Sequence, residues 1–198
     1  MARHWRVFLG ATVAALVVAV PLLYSSYRQT YARNFRVVEE GVLYRSGQLT
    51  PDAFARVLDE NRIKTVVTLR TARDPARPHP DEWERTVCEA RTPRVNHVRI
   101  VPRVWSHDEK GEVPAEEGIR QFLAVMDDRA NYPVLVHCFA GIHRTGTMCA
   151  FFRMEYHKWS PDRALAEMQL CGYAPEDMHV HIEGYLKNYR PRWQQPTP

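Results

Sequence analysis

Hydrophobic and polar positions follow two patterns that alternate along most of the chain. Short runs rich in β-branched residues, such as residues 63–69 (IKTVVTL), are typical of buried strands. In other segments apolar side chains return every three or four residues, which indicates helices packed on a core. After Pro114 these side chains are Ile119, Phe122, Leu123 and Met126. Because strands and helices alternate, the pattern predicts an α/β fold with a mostly parallel central sheet flanked by helices.

Local signals place the remaining elements. Two strand-like pieces predict a hairpin over residues 35–48, and a further strand is predicted over residues 95–101. Thr50 and Ser160, each followed by proline, are typical helix starts. Helices are therefore predicted after these two positions and over residues 81–90, 147–159 and 175–189.

Residues 1–28 contain an uncharged run of 18 residues, residues 7–24 (VFLGATVAALVVAVPLLY), which is close to the minimum length of a membrane-spanning helix. Arg3 and Arg6 precede the run, and Tyr24 is placed like an interfacial aromatic residue. We therefore expect a single-pass membrane anchor, whose orientation the flanking charges leave open. A cleaved signal peptide, which would give an exported protein, and a buried helix are the alternatives.

Composition indicates one domain with short extensions. We predict a linker over residues 29–36, a single domain over residues 37–190 and a tail over residues 191–198. The net charge is +4, but after residue 28 the chain holds 24 basic and 23 acidic side chains, which does not favour a nucleic-acid partner. The four cysteines lack the spacing of a zinc site, so we expect no metal.

Residues 133–146 (PVLVHCFAGIHRTG) carry the candidate chemistry. An apolar strand ends at His137, a short loop runs from Cys138, and a helix follows. The N-terminus of a helix presents free N–H groups and a positive dipole end, and Gly141 lets several N–H groups of the loop converge on an anion. Arg144 adds a two-pronged donor, and these positive surroundings favour the thiolate form of Cys138. A thiolate beneath a bound phosphate is a nucleophile aimed at phosphorus.

This stretch matches a known signature. Read from His137 to Thr145, it resembles the H-C-x5-R-[ST] signature of the cysteine-based protein tyrosine and dual-specificity phosphatases. Residues 42–48 (VLYRSGQ) also resemble the opening of the atypical dual-specificity phosphatases of plants and fungi and of their bacterial relatives. The resemblance implies a phosphatase domain over residues 37–190. It would act on a phosphorylated protein or a small phosphoester and need no cofactor.

The resemblance also implies a role for each residue of the loop. Cys138 would attack phosphorus and form a phosphocysteine intermediate, which Arg144 and the loop N–H groups would stabilise. Thr145 would hydrogen-bond the departing thiolate or cap the helix, and His137 would orient the loop. The expected substrate-binding residues are Phe139, Ala140, Gly141, Ile142, His143 and Arg144.

The leaving oxygen of the substrate needs a proton, and the family supplies it from an aspartate roughly thirty residues before the cysteine. Asp108 lies thirty residues before Cys138, in the sequence Trp-Ser-His-Asp, and is our first candidate for this general acid. Glu109, Glu112, an acid elsewhere in the chain and the absence of a general acid are the alternatives.

Basic residues outside the signature leave two further alternatives open. Arg45 would line the site or lie on the surface at the end of a strand. A loop at the carboxyl end of another strand would hold a second phosphate or an acidic substrate surface, or would simply face solvent. Its basic residues are Arg70, Arg73, Arg77 and His79.

One departure from the family pattern limits the substrate prediction. The plant and fungal group often has a lysine after the glycine of the loop, where this chain has Ile142 and His143. An inositol pyrophosphatase activity therefore does not carry over directly.

Two other function classes compete with a phosphatase. A rhodanese-type sulfurtransferase also uses a cysteine in a short anion-binding loop, but His137 and Arg144 argue against it. A catalytically silent, phosphate-binding membrane scaffold would not need both Cys138 and Arg144.

Overall fold

A five-stranded mixed sheet forms the centre of the structure. The computed structural model describes residues 2–27, 33–72, 78–174 and 180–195. The strand order across the sheet is β1-β2-β5-β3-β4, and only β1 and β2 pair antiparallel. The strands are β1 (Arg36–Glu39), β2 (Leu43–Ser46), β3 (Thr65–Thr68), β4 (Asn96–Arg99) and β5 (Val134–His137). The predicted α/β class, with a mostly parallel sheet and an N-terminal hairpin, is therefore confirmed.

Helices begin where the sequence signals indicate. Thr50 Oγ1 accepts a hydrogen bond from the Ala53 N–H at 3.3 Å, and Ser160 Oγ accepts one from the Arg163 N–H at 3.3 Å. The helices are α1 (Ala2–Tyr27), α2 (Pro51–Glu60), α3 (Glu82–Glu89), α4 (Ala115–Asp127), α5 (His143–Tyr156), α6 (Pro161–Leu170) and α7 (Val180–Asn188). Helix α5 begins at His143 rather than at residue 147, so the last residues of the signature already lie in its first turn.

Each face of the sheet packs against its own helices. Leu43, Val134 and Val136 face a core built with α4, α5 and α6, while Tyr44 and Leu135 face a smaller core built with α2 and α3. At the carboxyl ends of the parallel strands, four polar residues stand side by side in register: Ser46, His137, Thr68 and Arg99. This polar end of the sheet is where an α/β fold usually carries its ligand site.

The expectation of a membrane anchor is corrected by the structure. Helix α1 contains the apolar run, with Pro21 inside the helix. Among the residues that the structure describes, no helix is both long enough and apolar enough to cross a membrane. The predicted single-pass localisation is therefore wrong, and the predicted membrane helix and membrane partnership are not supported.

Candidate active site

The loop after β5 forms the base of an open cleft. Cys138 is the first residue of the loop and is only 5% exposed. Gly141 has a φ of 72°, a conformation that glycine adopts without strain, and its N–H donates a hydrogen bond to Cys138 Sγ at 3.3 Å. The cleft has a volume of about 1170 Å³, and from the signature it is lined by Cys138, Phe139, Ala140, His143 and Arg144. The structure thus brings most of the predicted site residues together.

Three signature residues lie behind the cleft. Gly141 packs on the hairpin and Ile142 is half buried against the larger core. Thr145 is fully buried, and its hydroxyl has no hydrogen-bond partner among the described residues. Its predicted hydrogen bond to the thiolate therefore stays a prediction.

The hairpin holds the loop by its backbone. The carbonyl oxygen of Gly141 accepts hydrogen bonds from Arg45 Nη2 at 2.6 Å and from Asn34 Nδ2 at 3.0 Å. A Cβ atom on Gly141 would lie 2.6 Å from the carbonyl carbon of Ser46, so only glycine permits this close approach. The Gly141 carbonyl thus points toward the hairpin, and the Gly141 N–H donates to Cys138 Sγ.

The sequence did not reveal the supporting role of Arg45, and it did not point to Asn34 at all. Arg45 is 2% exposed and anchors the loop, so it is neither a cleft residue nor a surface arginine. Asn34, together with Arg33, lies in the segment predicted to be a linker. The guanidinium of Arg33 lies 4.0 Å from the centre of the Phe139 ring. Residues 42–48 (VLYRSGQ) were the one sequence signal for a contact between the hairpin and the loop of Cys138.

Arg144 is anchored at the end of the neighbouring strand. Its Nη1 donates a hydrogen bond to the carbonyl oxygen of Leu69 at 3.2 Å, and the side chain lines the cleft with Cys138. The exposed part of the guanidinium remains at the mouth of the loop. This position suits a fork of donors that closes on a bound phosphate.

A buried carboxylate lies behind the loop. Glu84 on α3 is fully buried, and its Oε2 lies 3.0 Å from His137 Nε2, although without the alignment of a good hydrogen bond. The amide of Gln48 donates to Glu84 Oε1. Burial acts to raise the pKa of Glu84, but the contacts with His137, His97 and Gln48 outweigh it and lower this pKa to about 2. Glu84 is therefore ionised at neutral pH and fixes the residue that precedes the nucleophile.

The same region brings possible metal ligands together. One ligand atom each from Asp81, Glu84 and His97 lie within 4.8 Å of one another. Arg99, however, donates hydrogen bonds to both oxygens of Asp81, at 2.7 and 3.2 Å. Burial acts to raise the pKa of Asp81, but the hydrogen bonds and charge of Arg99 lower it overall. A cation would have to compete with this guanidinium, so we assign no metal to the cluster.

Comparison with protein families decides the assignment. A family model described as "DSP-PTPase phosphatase fused to NAD+ Kinase" matches residues 19–181. The chain belongs to this DSP-PTPase phosphatase family. The predicted relationship to the cysteine-based tyrosine and dual-specificity phosphatases is thereby confirmed.

Individual relatives agree with the family. The putative tyrosine-protein phosphatase OCA1 of Eremothecium gossypii is 32% identical over 120 residues, covering 61% of this chain and 50% of that protein. The dual specificity protein phosphatase TpbA of Pseudomonas aeruginosa is 44% identical over 90 residues, covering 46% of this chain and 40% of TpbA. The chain therefore spans about half the length of these curated relatives.

A solved structure shows the same fold. The core catalytic domain of the PP-IP phosphatase SIW14 from S. cerevisiae superposes with a TM-score of 0.60 at 18% identity, covering 79% of this chain and 85% of that domain.

The general acid expected of a DSP-PTPase is not brought to the cleft. Asp108 is exposed, and its Oδ1 accepts hydrogen bonds from the backbone N–H groups of Lys110 and Glu112, each at 2.9 Å. Together with Glu112 it lines a separate groove beside the cleft. Glu109 is exposed on the same loop, and the described residues that line the cleft of Cys138 include no carboxylate. The role of Asp108 stays a prediction.

Proposed function

We propose that this chain hydrolyses phosphomonoesters through a phosphocysteine intermediate on Cys138. The observation that carries the proposal is the position of the Cys138 thiol. It lies at the base of a loop whose Gly141 N–H already reaches Sγ, with Arg144 at the mouth of the same cleft. Membership of the DSP-PTPase family supports the same chemistry.

In the first step the Cys138 thiolate attacks phosphorus, and the bond between phosphorus and the ester oxygen breaks. The loop N–H groups of residues 139–144 and the Arg144 guanidinium stabilise the charge on the three equatorial oxygens. In the second step water attacks phosphorus and gives a proton to the carboxylate that protonated the leaving group, the S–P bond breaks and inorganic phosphate leaves. The Thr145 hydroxyl then donates a hydrogen bond to the regenerated Cys138 thiolate.

The leaving oxygen takes its proton from Asp108 in this proposal. Asp108 reaches the cleft only if the exposed turn that it forms with Lys110 and Glu112 moves toward Cys138. Asp108→Asn should lower turnover more for alkyl phosphates than for aryl phosphates, because a poor leaving group depends more on the proton. An unchanged dependence on the leaving group would assign the proton to another residue, with Glu109 and Glu112 next to test.

The substrate class is a phosphorylated protein or a small phosphoester. The relatives' names include a tyrosine-protein phosphatase, a dual specificity protein phosphatase and a PP-IP phosphatase. A panel of phosphotyrosine and phosphoserine peptides and inositol phosphates, assayed at equal concentration, would rank these classes.

The deciding experiment is release of phosphate from p-nitrophenyl phosphate in excess EDTA. We expect turnover by the unaltered protein, none by Cys138→Ser, and a loss of at least about a hundredfold for Arg144→Lys, which keeps the charge but loses the fork. Cys171→Ser, a buried cysteine that does not line the cleft, is the matched control. Thiosulfate turnover in place of phosphate release would instead support a sulfurtransferase, and activity restored only by added metal would refute the mechanism.

A further inference from the structure

Besides Arg144, two further arginines line the catalytic cleft, Arg70 and the exposed Arg103. Arg70 follows β3, is half buried, and lines the same cleft as Cys138 and Arg144. Burial lowers its pKa, while the charges of Glu84 and Asp81 oppose that change. Because an arginine side chain stays protonated in proteins, Arg70 adds a full positive charge to the cleft.

Arg70 is held in place by a relay that ends on a buried carboxylate. Its Nη1 donates a hydrogen bond to Gln48 Oε1 at 2.6 Å, and Gln48 Nε2 donates in turn to Glu84. The direction of the relay follows from its two ends, because a guanidinium only donates and a carboxylate only accepts. Gln48 is itself fixed by its backbone N–H, which donates to the carbonyl oxygen of Phe139 at 2.9 Å. The orientation of Arg70 is therefore set before any ligand binds.

The phenyl ring of Phe139 supports the same arrangement. Phe139 is 56% exposed, with the guanidinium of Arg33 4.0 Å and that of Arg70 5.3 Å from its ring centre. Both distances lie within the range of cation–π attraction. The ring of Phe139 therefore helps to hold Arg70 beside Cys138.

Arg70 and Arg144, two of the three arginines that line the cleft, are anchored next to each other. Arg144 donates to the carbonyl oxygen of Leu69, the residue directly before Arg70. A guanidinium has five N–H donors, and within the described residues one of those on Arg70 is hydrogen-bonded, to Gln48. Arg144 would bind the phosphoryl group that is transferred, which leaves the donors of Arg70 for a different anion close by.

We propose that Arg70, oriented by Gln48 and Glu84, forms a second anion subsite for a phosphate or carboxylate group that the substrate carries next to its scissile phosphate. The inference rests on the proposed function, because the scissile group is taken to occupy the loop of Cys138. Arg70 contacts the ligand directly, whereas Gln48 and Glu84 are positioning residues that act through it.

The subsite is tested by binding rather than turnover, with the full chain carrying Cys138→Ser. Calorimetry measures the Kd of inorganic phosphate, pyrophosphate and phosphonoacetate. The last two carry a second phosphate and a carboxylate, and so separate the two sources of the second anion. We expect at least one of them to bind at least about tenfold more tightly than phosphate, the scale of one hydrogen bond to a charged group. Arg70→Met should abolish this preference, while Arg56→Met, on the exposed face of α2, should keep it.

The relay is tested by Gln48→Leu, which removes the link without changing the charge. This variant should lose at least about threefold of the preference, and Gln48→Leu combined with Arg70→Met should lose no more than Arg70→Met alone, because Gln48 acts through Arg70. Arg70→Lys, which keeps the charge without the fork, should fall between the unaltered residue and Arg70→Met.

Each outcome bears on a different claim. Equal binding of all three anions, or a preference that survives Arg70→Met, would overturn the subsite. Additive losses in the double variant would overturn the relay. If the subsite behaves as expected but the unaltered protein releases no phosphate from any ester, the proposed function fails and the anion subsite stands.

Discussion

At the scale of single residues, the catalytic loop depends on the absence of one side chain. Gly141 combines a φ of 72° with a backbone that nearly touches the hairpin at Ser46 and Gly47. The same residue gives its N–H to Cys138 Sγ and its carbonyl oxygen to Arg45. Its conformation and its packing therefore both affect the position of the nucleophile.

Gly141→Ala and Gly41→Ala separate these two effects. Gly41, in the turn of the hairpin, has the same φ of 72°, but nothing lies within 4 Å of a Cβ placed there. Gly41→Ala should cost about 1 kcal/mol of stability through backbone strain alone and leave turnover unchanged. Gly141→Ala should cost more and lower kcat by over about tenfold, because the loop must move away from the hairpin. Urea unfolding and p-nitrophenyl phosphate assays check both values, and equal effects of the two substitutions would contradict the packing argument.

At the scale of elements, the catalytic loop is a local feature held by distant ones. The strand, loop and helix around Cys138 could be predicted because their signals are contiguous in the sequence. Asn34 could not, because its contact with Gly141 joins residues 107 positions apart. Glu84 reads as an ordinary polar residue of a surface helix, and only the packing of α3 on the sheet buries it. Asp108 was selected by its distance along the chain, which does not determine whether a loop turns toward the cleft.

Asn34→Gly tests the contribution of the segment before the hairpin. Asn34 has a φ of 57°, which glycine tolerates, so the substitution removes the side-chain donor without adding backbone strain. The Asn34 side chain also donates to the carbonyl oxygen of Cys171 at 3.0 Å and accepts a hydrogen bond from Arg36 Nε at 3.0 Å, and both are lost as well. Because Arg45 still donates to Gly141, we expect a partial loss of about three- to tenfold in kcat/KM, the scale of roughly 1 kcal/mol for the hydrogen bond to Gly141.

Asn188→Ala is the control for Asn34. Asn188 Nδ2 makes a similar bond to the carbonyl oxygen of Gly184 at 2.8 Å on exposed α7. This substitution should leave kcat/KM within about twofold of the unaltered protein, given the usual size of surface effects. If Asn34→Gly changes kcat/KM no more than Asn188→Ala does, the catalytic loop does not need the hydrogen bond from Asn34 to Gly141.

At the scale of the whole molecule, the site lies beside a cluster of charged and polar side chains at one end of the sheet. His137 and Arg99 stand at the polar end of the sheet, where Arg99 contacts Asp81, directly before α3, and His137 contacts Glu84 on α3. Burying a carboxylate is unfavourable unless positive or hydrogen-bonding partners surround it. The fold meets this requirement with side chains that also orient the catalytic loop, so its acid stability and its activity share the same residues.

This coupling predicts how stability depends on pH. The pKa of Glu84 is lowered from 4.5 to about 2 in the folded protein, although burial alone would raise it. Because the folded pKa lies below the unfolded one, the stabilisation is complete above about pH 4.5 and is lost as the pH falls toward about 2. The full loss corresponds to about 3 kcal/mol. The difference in unfolding free energy between the unaltered protein and Glu84→Gln should therefore shrink as the pH falls from 5 to 3.

Glu117→Gln is the matched control for this experiment. The pKa of Glu117 is also lowered, by hydrogen bonds from Gln121 and Arg120, but its carboxylate lies on the exposed side of α4, where water screens the interaction. The difference in unfolding free energy between Glu117→Gln and the unaltered protein should therefore stay near zero at every pH. Urea unfolding at pH 5, 4 and 3 measures both differences. A constant difference for Glu84→Gln would show that the Glu84 carboxylate does not draw its stabilisation from His137, His97 and Gln48.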